Sequence, residues 1–413
     1  MKFELFVATR YLCARRKQAF ITVISIMSVV GVAIGVAALV IVLGVYNGFS
    51  TDIRNKLLSA NAHVIVSGLA GLPGLADSPT PVETATNAMR TVPGVRGATP
   101  FIYAEGMISS PRGVKGLILR GVDPATAPEA ITILRDLKTG SVDNLTGSSL
   151  PGVIIGQELA SRLGLTLGSR VNLLSPSGQK TAAGYQPRIR AFRVAGIFQS
   201  GLFEYDTSVG YVSLAGAREL LGLPENTLTG VEVSVEDPDH ADTVAAALQD
   251  KLGNGVSIRH WMEMNANLFA ALRLEKIGMF IVLAMVVLIG SFSIVTTLVM
   301  LVMEKTRDIA ILMSMGATKA MIRRIFMLQG VIIGLAGTLI GYALGIGIGE
   351  ALQRYRFIKL PPGVYTVDHL PVLLRWEDIA IIGVSAMLLC FLATIYPARK
   401  AAALEPADAL RYE

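Results

Sequence analysis

The residues of this chain whose types could support acid–base, nucleophilic or metal chemistry are few and scattered. His63, His240, His260 and His369 stand far apart, with no His-x-x-x-His spacing of the kind a helical zinc site uses. Glu204 and Asp206 are close enough to suggest paired carboxylates, but Phe203-Glu204-Tyr205-Asp206 leads directly into the apolar stretch 208–212 and reads as a turn. Cys13 precedes the first apolar run and Cys390 lies inside the last, so the polar middle of the chain has neither a disulfide framework nor a zinc site. No Gly-x-x-x-x-Gly-Lys-Ser/Thr sequence occurs, so nucleotide hydrolysis is expected on a separate partner. The reading is of a non-enzyme with no catalytic residue, metal or cofactor.

What remains is recognition. Glu304-Lys305-Thr306-Arg307-Asp308-Ile309 leads into Ala310–Met315, then Gly316-Ala317-Thr318 and Lys319–Phe326. Gly316 fits a helix stop and Thr318 the cap of the next helix. Ile309, Leu312 and Met315 recur at i, i+3 and i+6, so the short helix is amphipathic, suited either to a lipid surface or to a groove in another protein. A second segment, Ser175-Pro176-Ser177-Gly178-Gln179-Lys180 through Tyr185-Gln186-Pro187, lies between the apolar strands 171–174 and 189–198. It is longer than an ordinary hairpin loop and reads either as a solvated loop or as a protruding element that grips a partner.

The elements that must carry these segments are membrane helices. Hydrophobic residues make up 52% of the chain and charged ones 16%, well below the roughly 25% charge of soluble domains. Four runs near 19–46, 277–303, 327–349 and 379–396 are long enough to span a bilayer and contain no Asp, Glu, Lys, Arg or His. Proton or ion coupling, which needs such groups, is thereby disfavoured. The start reads as a permanent anchor rather than a cleaved signal. The net charge of +6 gathers beside these runs, which suits topology better than nucleic acid. Lys2, Arg10, Arg15, Arg16 and Lys17, then Lys305, Arg307, Lys319, Arg323 and Arg324, then Arg399, Lys400 and Arg411 mark cytoplasmic segments. The loop with Arg354, Arg356, Lys359 and Arg375 blurs that bias, and Trp376 suits an interfacial position. Run three carries Gly330, Gly334, Gly337, Gly341, Gly345 and Gly349, and run one carries Gly31 and Gly35. Such ridges of small residues permit close helix contact, more readily within the chain than at a dimer seam.

The predicted fold is an α-helical membrane protein with four transmembrane helices and a large α+β periplasmic domain of two subdomains inserted between helices 1 and 2. Its segments are 1–18 cytoplasmic, 19–46 helix 1, 47–276 periplasmic, 277–303 helix 2, 304–326 cytoplasmic coupling, 327–349 helix 3, 350–376 periplasmic, 377–396 helix 4 and 397–413 cytoplasmic. Within the outer domain, 47–116 and 226–276 form an α+β subdomain from two βαβ-like pieces, one opening its helix at Thr80-Pro81-Val82-Glu83 and the other at Asp237-Pro238. Residues 117–225 form a β-rich insert.

These residues carry a family resemblance. Ala8-Thr9-Arg10-Tyr11-Leu12, Arg15-Arg16, Ser25-Ile26, Ser28, Gly31, Gly35-Val36-Ala37 and Asn47-Gly48-Phe49 resemble the lipoprotein-releasing permeases (the LolC/LolE family), although the family more often has Met where this chain has Tyr46. The tail Tyr396-Pro397-Ala398-Arg399-Lys400-Ala401-Ala402, with Leu404-Glu405-Pro406-Ala407 and Leu410-Arg411-Tyr412-Glu413, is similar to their carboxyl end. The segment 304–317 looks like the coupling segment of the wider superfamily of macrolide-exporter and cell-division permeases.

The resemblance implies an inner-membrane complex of two permeases, identical or related, with two copies of a cytoplasmic ATPase. It implies triacylated lipoprotein as cargo and a periplasmic chaperone as receiver, with both termini of the chain cytoplasmic. On it, Ile309, Leu312, Met315, Gly316 and Ala317 meet the ATPase. Pro176, Ser177, Gly178, Gln179, Lys180, Tyr185 and Pro187 meet the chaperone. Ile34, Ala38, Val42, Tyr46, Phe49, Met279, Val282 and Val286 are expected to line an apolar cargo cavity. Two rivals remain open: an efflux permease for peptides or small amphiphiles, and a signalling permease controlling periplasmic hydrolases.

Overall fold

The computed structural model describes residues 2–12, 19–68, 81–147, 150–181, 184–225, 227–355 and 369–404. Cys13, Arg15, Arg16, Lys17, Thr80, Arg356, Lys359 and the tail beyond Leu404 lie outside them. The chain forms two compact units, one holding the long apolar helices and one built mainly of residues 52–269.

In the helical unit, Lys2–Leu12 precedes four long apolar helices, Ala19–Ala60, Ala266–Glu304, Lys319–Tyr355 and Trp376–Ala402. A short helix, Thr306–Ser314, stands between the second and third. The first three helices hold 42, 39 and 37 residues, so each exceeds 50 Å at about 1.5 Å per residue. The apolar runs 19–46 and 277–303 by themselves account for about 40 Å of the first two. The third helix outruns its apolar stretch by eight residues at its start and six at its end, where polar side chains still favour helix once the helix is nucleated.

These helices approach one another through glycine. A Cβ at Gly337, Gly341 or Gly345 would stand 2.8, 2.7 or 2.8 Å from the nearest atom of the first helix. Gly330 and Gly334 face Thr394 and Cys390 of the fourth helix in the same way. Gly31 meets Gly290 of the second helix, and Ser28 Oγ lies 2.7 Å from Thr297 Oγ1 and 3.0 Å from Ser293 Oγ beside that crossing. The ridge is therefore used within the chain. Val32, Val36, Leu39, Ile294, Leu298, Phe326, Ile333, Ile382 and Ala386 fill the core around it.

Among its described residues the second unit contains ten strands: β1 (Val64–Ser67), β2 (Val95–Ser110), β3 (Gly113–Val122), β4 (Thr139–Gly140), β5 (Gly152–Gly156), β6 (Arg170–Thr181), β7 (Gly184–Phe198), β8 (Val209–Ser213), β9 (Gly230–Val235) and β10 (Ser257–His260). β10, β1, β9 and β2 lie side by side, and every adjacent pair is antiparallel. β1 and β2 are thus parallel with β9 between them, while β9 and β10 are parallel with β1 between them. This is the split βαβ arrangement, its crossovers provided by helices Pro81–Arg90 and Ala241–Leu252. Met89, Val92, Val231, Val233, Ala245 and Leu248 form its core.

β2 then continues into a second structure. It pairs with β3, β3 with β8, β8 with β5, β5 with β7, β7 with β6, and β6 with β2 again. Those six strands close a ring, which removes the free edges that an open sheet would expose. Ile102, Ile108, Leu119, Ile155, Val171, Phe192 and Val212 fill its interior. The division expected at residue 117 is corrected here: β2 supplies Ala98 to the first core and Ile102 and Ile108 to the second, so one strand serves both.

The glycine contacts make a matched prediction. Gly341→Leu must push against Ala33 and Val36 and should lower stability by about 1–3 kcal/mol. Gly347→Leu meets nothing within 4 Å and should leave it nearly unchanged. Thermal melts of the two purified variants in one detergent would check this.

Candidate functional site

The short helix Thr306–Ser314 ends in a geometry that explains its glycine. Gly316 has φ +103, a region that strongly favours glycine. Its N–H donates to Met313 O at 3.1 Å, and Ala317 N–H donates to Leu312 O at 2.9 Å. That is a Schellman motif, which satisfies carbonyls the helix would otherwise leave free. Thr318 Oγ1 accepts from Met321 N–H at 3.3 Å and caps the third long helix, as its position predicted.

The motif determines which residues face outward. Ile309 is buried, and Leu312 and Ala317 pack on the helical core. Met315 is 80% exposed, Gly316 is exposed, and Ile311 is 42% exposed on the other side of the short helix. The expected Ile309–Leu312–Met315 face is therefore split. Its first two members hold the segment to the chain's own helices, and Met315 and Gly316 at the tip are exposed. Periodicity alone could not separate these, since either face of a short helix can be the buried one.

The segment 175–187 is a strand ribbon for most of its length rather than a loop. β6 pairs with β2 only as far as Leu174, and past an irregularity at 175–179 Gln179 faces Gln186 and Lys180 faces Tyr185. Among the described residues the two strands pair there only with each other, beyond the last β2–β6 pair of the closed ring. Pro176 and Pro187 are exposed, while the side chains of Ser177, Gly178, Gln179, Lys180 and Tyr185 lie outside the described residues.

Among the residues expected at a cargo cavity, Ile34, Val282 and Val286 are exposed at 59%, 62% and 40%, and Ala38, Val42, Phe49 and Met279 are half-buried. Tyr46, also half-buried, donates its hydroxyl to Leu272 O and so ties the first long helix to the second. The second helix is the most open of the four, with Ile281, Met285, Ile289 and Phe292 also exposed.

The signature Asn47-Gly48-Phe49 has a structural cause that sequence reasoning missed. Asn47 is buried and donates from Nδ2 to Asp378 Oδ2 at 2.6 Å. Lys276 Nζ lies 2.9 Å from the other Asp378 oxygen. Three helices are thus tied through one carboxylate. A Cβ at Gly48 would stand 2.4 Å from the Pro371 carbonyl oxygen, so glycine alone admits the segment that leads into the fourth helix. Leu373 N–H donates to Gly44 O at 2.8 Å in the same contact.

In the second unit several buried titratable groups bond to the fold itself. Asp206 belongs to the helix Phe203–Ser208 and accepts from Ser200 N–H at 2.8 Å and Ser200 Oγ at 2.6 Å. Burial raises its carboxyl above the usual range. His63 Nδ1 accepts from Val235 N–H at 3.0 Å, a bond only the unprotonated nitrogen can make, and burial lowers its pKa. Arg120 and Glu232 form a buried ion pair. Arg120 Nη1 also lies 2.9 Å from Tyr205 OH, which donates to Ala60 O at 2.7 Å. Burial raises both Tyr205 and Tyr211.

Four spanning helices, an extramembrane domain with a closed ring of strands and an exposed turn between helices two and three define a membrane permease with a periplasmic domain. Residues 25–251 match the family model described as a MacB-like periplasmic core domain, and residues 280–406 match the FtsX-like permease C-terminal model. The chain is 35% identical over 415 residues to the lipoprotein-releasing system transmembrane protein LolC of Xylella fastidiosa, covering 98% of both chains. It is 27% identical over 423 residues to the corresponding LolE protein of Haemophilus influenzae, covering 99% of both. The periplasmic region of MacB from Actinobacillus actinomycetemcomitans superposes on 51% of this chain and 93% of its own at 14% identity and a TM-score of 0.33. The chain belongs to the LolC/LolE family of lipoprotein-releasing system transmembrane proteins.

Asp378→Ala leaves the buried Asn47 amide and the Lys276 ammonium without their acceptor. It should cost about 1–3 kcal/mol, whereas Asp378→Asn, which keeps one acceptor oxygen, should cost less. Melting temperatures of the two variants against the parent chain would show the order.

Proposed function

We propose that this chain is the permease subunit of an ATP-driven transporter that takes outer-membrane-directed lipoproteins from the inner membrane and passes them to a periplasmic chaperone. The observation that carries the reading is full-length likeness to lipoprotein-releasing proteins across both the helical and the periplasmic parts. Its partners are two copies of a cytoplasmic ATPase and a second permease, identical or related. Both termini and the Met315-Gly316 tip are cytoplasmic, following the Lys and Arg placement. The tip engages the ATPase. The paired end of β6 and β7 meets the chaperone, since a two-stranded ribbon free of the ring presents its side chains to a partner.

The energetics set the form of the device. Each CH₂ moved from bilayer to water costs about 0.8 kcal/mol, so three acyl chains exposed together would cost tens of kcal/mol. The cargo chains therefore need an apolar cavity that is later closed on them. The exposed residues Ile34, Val282 and Val286 stand beside the close crossing of Gly35 on Val287, where two permeases could enclose such a space.

Two experiments test the reading. Depleting the protein should make a mature, triacylated outer-membrane lipoprotein accumulate in the inner-membrane fraction. Normal sorting would move efflux or hydrolase control to the front. Any side chain at Gly316 must adopt φ +103, so Gly316→Ala and Gly316→Trp share one backbone strain. With nothing within 4 Å of the added Cβ, both chains should still insert and pair with the second permease, while lipoprotein release falls at least tenfold further in Gly316→Trp than in Gly316→Ala. Release at the parent rate would remove Gly316 from the coupling site.

A further inference from the structure

Lys319 and Arg323 of the third long helix and Arg399 of the fourth line a cavity of about 320 Å³ with Ala320, Ala402 and Ala403. All three cations are exposed. Among the described residues none of them is held by a carboxylate, whereas neighbouring Arg324 stands 3.8 Å from Glu4 and Lys305 3.3 Å from Asp308. Among the described residues the cavity therefore gathers positive charge that no carboxylate neutralises, at the ends of two packed helices.

Its depth indicates what fills it. At 1.5 Å per residue, Arg323 stands about 6 Å before the apolar run that begins at Met327, and Arg399 about 5 Å beyond Tyr396, the end of the fourth run. The headgroup region on each side of a bilayer is about 5–8 Å deep. The apolar surface leads to the same place. Ile381, Val384, Leu388, Leu392 and Tyr396 are 52%, 70%, 57%, 52% and 62% exposed and recur every three or four residues along one face of the fourth helix. Arg399, three residues past Tyr396, continues that face. A lipid-facing stripe thus runs directly into a cation-lined cavity at phosphate depth. An acidic protein surface would need the cations but would have no use for the stripe.

We propose that this cavity binds the phosphate of an anionic phospholipid, with an acyl chain along the Ile381–Tyr396 stripe. The site needs only the four helices to span the bilayer, so it stands apart from the identity of the cargo. Each Lys or Arg near an anionic headgroup contributes about fivefold to occupancy, so two of them account for roughly 25-fold.

The test is native mass spectrometry of the full-length chain in detergent, titrated with dioleoylphosphatidylglycerol or dioleoylphosphatidylcholine. The parent chain should retain phosphatidylglycerol at far lower concentration than phosphatidylcholine. Arg323→Gln with Arg399→Gln should lose that preference by roughly 25-fold. Lys115→Gln with Arg170→Gln, an equal charge change on the outer unit, should retain it. If the double variant melts early, Lys319→Gln and the charge-keeping Arg399→Lys give the same contrast, the first weakening retention and the second keeping it. Equal retention of phosphatidylglycerol by the parent and the folded double variant would overturn the proposal. So would displacement by inorganic phosphate at the concentration of the lipid itself, which would mark a free-anion site. Loss of ATPase co-purification with lipid retention intact would mark a protein-docking surface and overturn it equally.

Discussion

The helical unit depends on the near-contact of its third helix with its first. Inside a bilayer the hydrophobic effect does not draw helices together, so packing density and small polar bonds must do so. Gly337, Gly341 and Gly345 let the third helix approach until its backbone meets Val32, Val36 and Val40. Gly330 and Gly334 turn a neighbouring part of the helix to Thr394 and Cys390. One helix therefore holds two others at close range. The second helix, joined at Gly31–Gly290 and at Ser28–Thr297, keeps much of its surface open. Such an open apolar face suits lipid, a second permease or an acyl chain.

Because the apolar runs carry no Asp, Glu, Lys, Arg or His, formal charge is confined to their ends. At one end Asp378 collects Asn47 and Lys276 from two other helices. Toward the other, the turn at Gly316 is closed by backbone bonds, and the Met315 side chain stands exposed.

The outer unit solves a different problem. A split βαβ sheet and a closed ring of strands share β2, and the buried Arg120–Glu232 pair joins β3 to β9 beside that shared strand. A buried pair of this kind adds little net stability, because both ions give up hydration. It does make one arrangement far better than its neighbours, since removing either partner strands the other. Tyr205 extends the network to the carbonyl of Ala60, where the first long helix ends, so helix end and sheet are held by the same group of side chains.

The sequence by itself determined the four spans, their freedom from charge, the helix stop at Gly316, the cap at Thr318 and the family. Each of these follows from local composition or from one residue's conformational limits. It also placed most strands of the outer unit, because apolar alternation is a local pattern. Only the tertiary structure decided that six strands close a ring and that β2 belongs to both cores, since strand partners lie far apart in the chain. It alone turned Ile309 inward and Met315 outward, because periodicity marks a stripe without saying what covers it. It alone gave Asn47 and Gly48 their reason. A carboxylate 331 residues from Asn47 and a carbonyl 323 residues from Gly48 act on them through space, and no local pattern encodes that approach.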